Sequence, residues 1–75
     1  MYYCETESLR YGNELIKAFN HEHRLVGVGL YFGRGTGKMY LHEEIDSPEA
    51  QSELKKIIAE ACPHVEWELH QPNED

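Results

Sequence analysis

The sequence predicts an α+β domain of two layers in the order helix, strand, strand, helix, strand. Its sheet is three-stranded, antiparallel or mixed, with two helices packed on one face. Three observations lead there. Apolar residues recur at three- and four-residue spacing over residues 8–20 and again beyond Ser47. They alternate with glycine, polar or charged residues over 25–32 and 65–69, as half-buried strands do. Glycine and proline punctuate the boundaries. Both helical stripes need cover from the same sheet surface, which is the two-layer solution. A chain of 75 residues holds one domain, 1–75, and buries only about 60% of the surface it exposes when unfolded.

Residues 1–5 contain Tyr2-Tyr3-Cys4, which suits either an extra strand or a flexible lead-in. Thr6 or Ser8 can cap a first helix, with Glu7 at its positive dipole end. Leu9, Gly12, Leu15, Ile16 and Phe19 then form one apolar stripe, ended by Asn20 and His21. A hairpin follows over residues 25–41. Its first strand sorts Val26, Val28, Leu30 and Phe32 to one face and Leu25, Gly27, Gly29 and Tyr31 to the other. The first set, joined by Met39 and Leu41, is expected to face the core. The glycine-bearing face is thin, so it is either a docking surface or packed under another element.

Ser47-Pro48-Glu49 is the clearest local signal: a capping serine, proline where its missing N–H is harmless, and an acid in the first turn. Ala50, Leu54, Ile57, Ile58 and Ala61 complete an amphipathic stripe, and Pro63 closes the helix. Val65, Trp67 and Leu69 alternate with Glu66, Glu68 and His70 in a third strand. Residues 71–75 form a polar, flexible tail. This order, with its helix-Pro-His-Val-strand ending over residues 57–69, is similar to BON-type domains. The resemblance implies the two-layer fold; no lipid-binding residue is assigned from it.

Charge narrows the function. The net charge is -7, yet Arg24, Arg34 and Lys38 occupy a stretch free of acid, while the sequence from Glu43 onward is rich in acids against Lys55 and Lys56 alone. Phosphate backbones are read by clustered Lys and Arg, so direct nucleic-acid binding is disfavoured. An acidic field suits a basic protein surface, found faster through electrostatic steering. No apolar run approaches the ~20 residues that span a bilayer, so no membrane partner is expected. No cationic, apolar signal follows Met1; a reducing, cytoplasmic setting is therefore expected for Cys4 and Cys62.

Motifs that carry chemistry are sparse. Gly33-Arg34-Gly35-Thr36-Gly37-Lys38 lacks the spacing and the following Ser or Thr of a phosphate loop, and a strand follows it instead of a helix. It reads as a hairpin turn. Cys62 and His64 are the one candidate nucleophile and base, but a helix C-terminus disfavours a thiolate, and Cys62 reads as a core residue. No catalytic residue and no cofactor is assigned. Among five histidines, His21, His23 and His42 are weak metal candidates, because His21 and His23 share a face when extended and His42 lies near them across the sheet.

The expected function is therefore a small acidic protein-binding module acting by stoichiometric contact, as an inhibitor or regulator of another protein. Its contact residues are Gly27, Gly29, Tyr31, Arg34, Lys38, Tyr40, His42, Glu43, Glu44, Glu66 and Glu68. One variant is a phage-type antidefence inhibitor that fills the basic groove of a nucleic-acid enzyme, using Glu43, Glu44, Asp46, Glu49, Glu53, Glu66 and Glu68. The partner is another protein or a second copy in a homodimer. The alternative is a metal- or pH-responsive homodimer built on its histidines.

Overall fold

In a computed structural model of the chain, which describes residues 1–33 and 36–71, the Ser47 signal does what its chemistry requires. Helix α1 spans Pro48–Ala61, with Pro48 in the first turn and the Ser47 hydroxyl oxygen accepting the Ala50 N–H at 3.1 Å. Leu54 and Ile58 are fully buried beneath it, and Ala50 packs on the same core. The strands are β1 (Tyr3–Ser8), β2 (Glu14–Phe19), β3 (Leu25–Tyr31), β4 (Thr36–Leu41) and β5 (Glu66–His70). They form one five-stranded sheet in sequence order. Strands β1 to β4 are an antiparallel meander, and β5 runs parallel to β4 because α1 carries the chain back between them.

The fold remains α+β, but the three-stranded sheet with two helices is overturned: one α-helix is present among the described residues, and the sheet is mixed and five-stranded. The difference lies at residues 8–20, which form the β1–β2 turn and β2 in place of a first helix. Tyr11 (φ 61°) and Gly12 (φ 78°) are both left-handed, a pairing no right-handed helix accommodates. The Leu9 N–H donates to the Asn13 carbonyl at 2.8 Å and closes the turn. From Glu14 onward the same letters fit a period of two, with Ile16 and Ala18 buried and Leu15, Lys17 and Phe19 on the other side. Pairing on both edges of β2 overrides the helical spacing. Without the leading helix, the BON-type order does not hold.

A second correction concerns the faces of the hairpin. Gly27 stands opposite Ala18 and Leu41, Gly29 opposite Ile16 and Met39, and Gly37 opposite Trp67. All three glycines are buried on the side that α1 covers. A Cβ on Gly29 would lie 2.7 Å from both Ile16 Cγ2 and Trp67 Cζ3, so the bare backbone makes room for large side chains. Val28 and Leu30 consequently point to the opposite face, away from Met39 and Leu41. Val26 stays in the core because a bulge shifts the register between Ala18 and Phe19. Phe32, expected in the core, is exposed beyond the end of β3.

The core comprises Ile16, Ala18, Val26, Met39, Leu41, Ile45, Leu54, Ile58, Cys62, Val65 and Trp67, between the sheet and α1. The molecule measures 33 × 28 × 17 Å, thin in the direction of its two layers. Among the described residues, no helix is long and apolar enough to cross a membrane.

Candidate functional site

The face of the sheet away from α1 carries the side chains left without a helix above them. Its centre is apolar: Leu15 stands opposite Leu30, and Val28 opposite Tyr40. Leu15, Val28 and Leu30 are half-buried by their neighbours, whereas Tyr40 is 54% exposed. Leu25, Val28, Tyr40 and His42 border a shallow groove at the end of the β3–β4 pair. Two stacked ring pairs brace this surface, Tyr3 with Phe19 at 5.1 Å and Tyr40 with His70 at 5.3 Å between centroids.

Its rim is acidic. Glu5 and Glu7 lie on β1 at one edge, and Glu66 and Glu68 on β5 at the other. Lys17 faces Glu5 and Lys38 faces Glu68 across neighbouring strands, while Glu7 and Glu66 stand opposite Leu15 and Thr36. The two lysines are thus matched in register, and the remaining acids set the sign of both edges.

The contact residues expected from sequence divide between two sides. Lys38, Tyr40, Glu66 and Glu68 share the open face, with His42 at its border. Gly27 and Gly29 do not belong to it; they are buried under Met39, Leu41 and Trp67. Tyr31 is half-buried on the helix side, its ring edge-on to His64 at 6.2 Å. Glu43 and Glu44 lie in the connection from β4 to α1, where the Glu44 Oε2 accepts the Asn20 side-chain N–H at 3.2 Å. Arg34 lies outside the described residues. Glu49 and Glu53 are exposed on α1, on the layer opposite Glu66 and Glu68, so the expected acidic flank is not one surface. Tyr3, Leu15, Lys17, Phe19, Val28 and Leu30 join the open face without having been expected there. Their period-two alternation was the available signal, masked on β2 by the helical spacing.

A second constellation sits where α1 ends and β2 begins. Cys62 caps the helix C-terminus and is 2% exposed; His64 follows in the turn to β5; Glu14 opens β2. Glu14 Oε2 lies 2.5 Å from His64 Nε2, and Cys62 Sγ lies 3.8 Å from the same Oε2 and 3.9 Å from the same Nε2. Cys62 and His64 therefore meet, with a carboxylate between them. Burial pushes the Cys62 thiol up, and the charge and hydrogen bond of Glu14 push it further, which holds the proton on sulfur and disfavours a nucleophilic thiolate. Burial also raises Cys4, to about 11. Both cysteines are free.

The histidines expected as metal ligands do not converge. His23 Nδ1 pairs with the Tyr3 hydroxyl at 2.7 Å, and His42 Nδ1 accepts the Glu44 N–H at 3.2 Å, while His21 is exposed in the β2–β3 turn. Among the described residues, Glu14, Cys62 and His64 are the group of three whose donor atoms come together. Asn20 escaped sequence reasoning as well. Its buried side-chain oxygen accepts the Glu22 and Arg24 N–H groups at 2.8 and 3.0 Å, a turn that asparagine commonly builds. No protein-family model, no curated protein and no solved structure matches the chain.

Proposed function

We propose that this protein is a binding module that acts by stoichiometric contact, presenting the open face of its sheet to a basic surface of another protein and so inhibiting or regulating it. The observation that carries this reading is the one-sided cover of the sheet. Helix α1 packs against β1, β2 and β5 from one side, and the other side offers an apolar centre with acidic edges. A protein contact of ordinary size takes about 800 Å² from each partner, and the total surface here is 5305 Å². About one seventh of the surface would then serve the contact.

Charge selects the partner. Two copies meeting face to face would bring acidic edge against acidic edge, adding to the repulsion of two chains each at -7. A partner with an apolar centre and a basic rim relieves both. Such surfaces include the phosphate-binding grooves of nucleic-acid enzymes. The acids on α1 face away from the sheet, so the contact rests on the sheet face and not on a continuous acidic flank. Two free cysteines fit a reducing compartment, and we assign the protein to the cytoplasm.

The test places a photoreactive residue at Tyr40 or at Lys56, on opposite layers, in cells that make the protein. Light scattering of the purified chain is expected to give a monomer. Crosslinks from position 40 should capture one partner, and that partner, once purified, should bind at one to one with an affinity that falls as salt rises. Val28→Glu should weaken the complex at least tenfold while leaving the fold intact. A dimer that Val28→Glu separates would replace this reading with self-association. Equal capture from position 56, or a complex indifferent to Val28→Glu, would remove the open face from the function.

A further inference from the structure

We propose that Glu14, Cys62 and His64 bind a divalent transition-metal ion of the zinc class, clipping the C-terminal end of α1 to the start of β2. The argument begins with which atoms meet. Both Cys62 Sγ and Glu14 Oε2 address one ring nitrogen, His64 Nε2. In a nucleophile–base–acid relay the carboxylate sits on the other ring nitrogen, where it orients the imidazole toward the nucleophile. Here three donor atoms surround one point instead, all within 4.8 Å of one another.

The separations suit a tetrahedral ion. With zinc bonds of about 2.3 Å to sulfur and about 2.0 Å to nitrogen or oxygen, a tetrahedron sets sulfur about 3.5 Å from each lighter donor. The observed 3.8 and 3.9 Å are close to that edge. The nitrogen-to-oxygen edge of about 3.3 Å requires the 2.5 Å Glu14–His64 pair to open. The His64 side chain, 59% exposed, is free to swing outward by that amount.

The surroundings favour a cation of this kind. Cys62 caps the negative end of the helix dipole, and the last turn of α1 holds no basic residue. A thiolate, an imidazole and a carboxylate together select zinc or its neighbours over magnesium or calcium, which prefer oxygen alone. The exposed side of His64 leaves a fourth position open to water. Glu14 and Cys62 are 48 residues apart, so the ion closes a long loop in a domain too small to depend on its core alone. None of this depends on the open face, which lies on the other side of the sheet.

The test uses the full chain, freed of metal with a chelator under reducing conditions and titrated with zinc sulfate alone. Calorimetry should give one ion per chain at micromolar affinity or tighter, and saturation should raise the melting temperature by about 10 °C. Cobalt(II) in its place should show the thiolate charge-transfer band and the strong visible bands of a tetrahedral ion. His64→Asn, an exposed change that leaves the core untouched, should weaken binding at least tenfold, and Cys62→Ser should abolish the thiolate band. Cys4→Ser, and the combined His21→Asn, His23→Asn and His42→Asn variant, should bind as the parent does. Absence of the thiolate band, or zinc binding indifferent to His64→Asn, would overturn the site, as would its loss in the triple histidine variant.

Discussion

At Gly29 an added methyl group would stand 2.7 Å from Ile16 and Trp67 and 2.8 Å from the Met39 sulfur, all of them buried side chains. Gly29→Ala should therefore destabilise the fold by about 1–3 kcal/mol, the usual range for overpacking a filled core, visible as a lowered denaturation midpoint. A glycine on a contact surface would instead change partner affinity and leave stability alone. Gly37 shows the same arrangement, its open backbone lying against the six-membered ring of Trp67. Trp67 Nε1 is buried with no hydrogen-bond partner among the described residues, at a desolvation cost of about 1–3 kcal/mol. Cys4 offers a measurement in pH. Burial raises its thiol from the ordinary 9.0 to about 11, so the folded state holds that proton more tightly than the unfolded chain does. Its contribution to stability is complete below pH 9.0 and disappears as pH rises through about 11. Cys4→Ala should flatten the alkaline fall of the melting temperature across that window relative to the parent.

Among the elements, α1 owes its start to local chemistry and its position to the sheet. The Ser47 hydroxyl satisfies an N–H that the first turn leaves free, so Ser47→Ala should cost about 1 kcal/mol, measurable by chemical denaturation, with no change in the structure of α1. Helix α1 and strand β5 were legible in the sequence because capping chemistry, a complete apolar stripe and strict alternation all agreed there. Residues 8–20 were not, because Leu9, Leu15, Ile16 and Phe19 satisfy a helical period while Ile16 and Ala18 satisfy a strand period. A turn with two successive left-handed residues, Tyr11 and Gly12, resolves the ambiguity, and nothing local announces that Tyr11 will adopt that conformation. The Asn20 turn then directs the chain straight into β3, with Asn20 N–H and Arg24 carbonyl paired at 3.0 Å.

For the whole molecule, the open face and the metal corner follow from how the layers stack. One helix cannot cover both sides of a sheet, so among the described residues one side of β1 to β5 has no second layer over it. Which side was the part the sequence misassigned. Alternation rightly separated Gly27 and Gly29 from Val28 and Leu30, but the bulge brings Val26 to the glycine side, and hydrophobicity alone placed Val28 and Leu30 inward, whereas large residues from β2, β4 and β5 needed the space above Gly27 and Gly29. The contact surface proposed from sequence keeps Lys38, Tyr40, Glu66 and Glu68 and loses its glycines for that reason. Glu14 could not be anticipated beside Cys62 and His64, since only the docking of the end of α1 against β2 brings them together.

The sequence by itself determined the broad α+β class and the acidic charge, and, through short-range periodicity or capping, the helix that begins at Ser47 and the strands of the hairpin and of β5. Tertiary structure alone decided that residues 8–20 form a turn and a strand instead of a helix, that the glycines lie inside, and that Glu14 reaches Cys62 and His64. Those outcomes depend on strand pairing and on volume shared between distant side chains. A local pattern offers more than one solution to them, and only the packed whole selects among these.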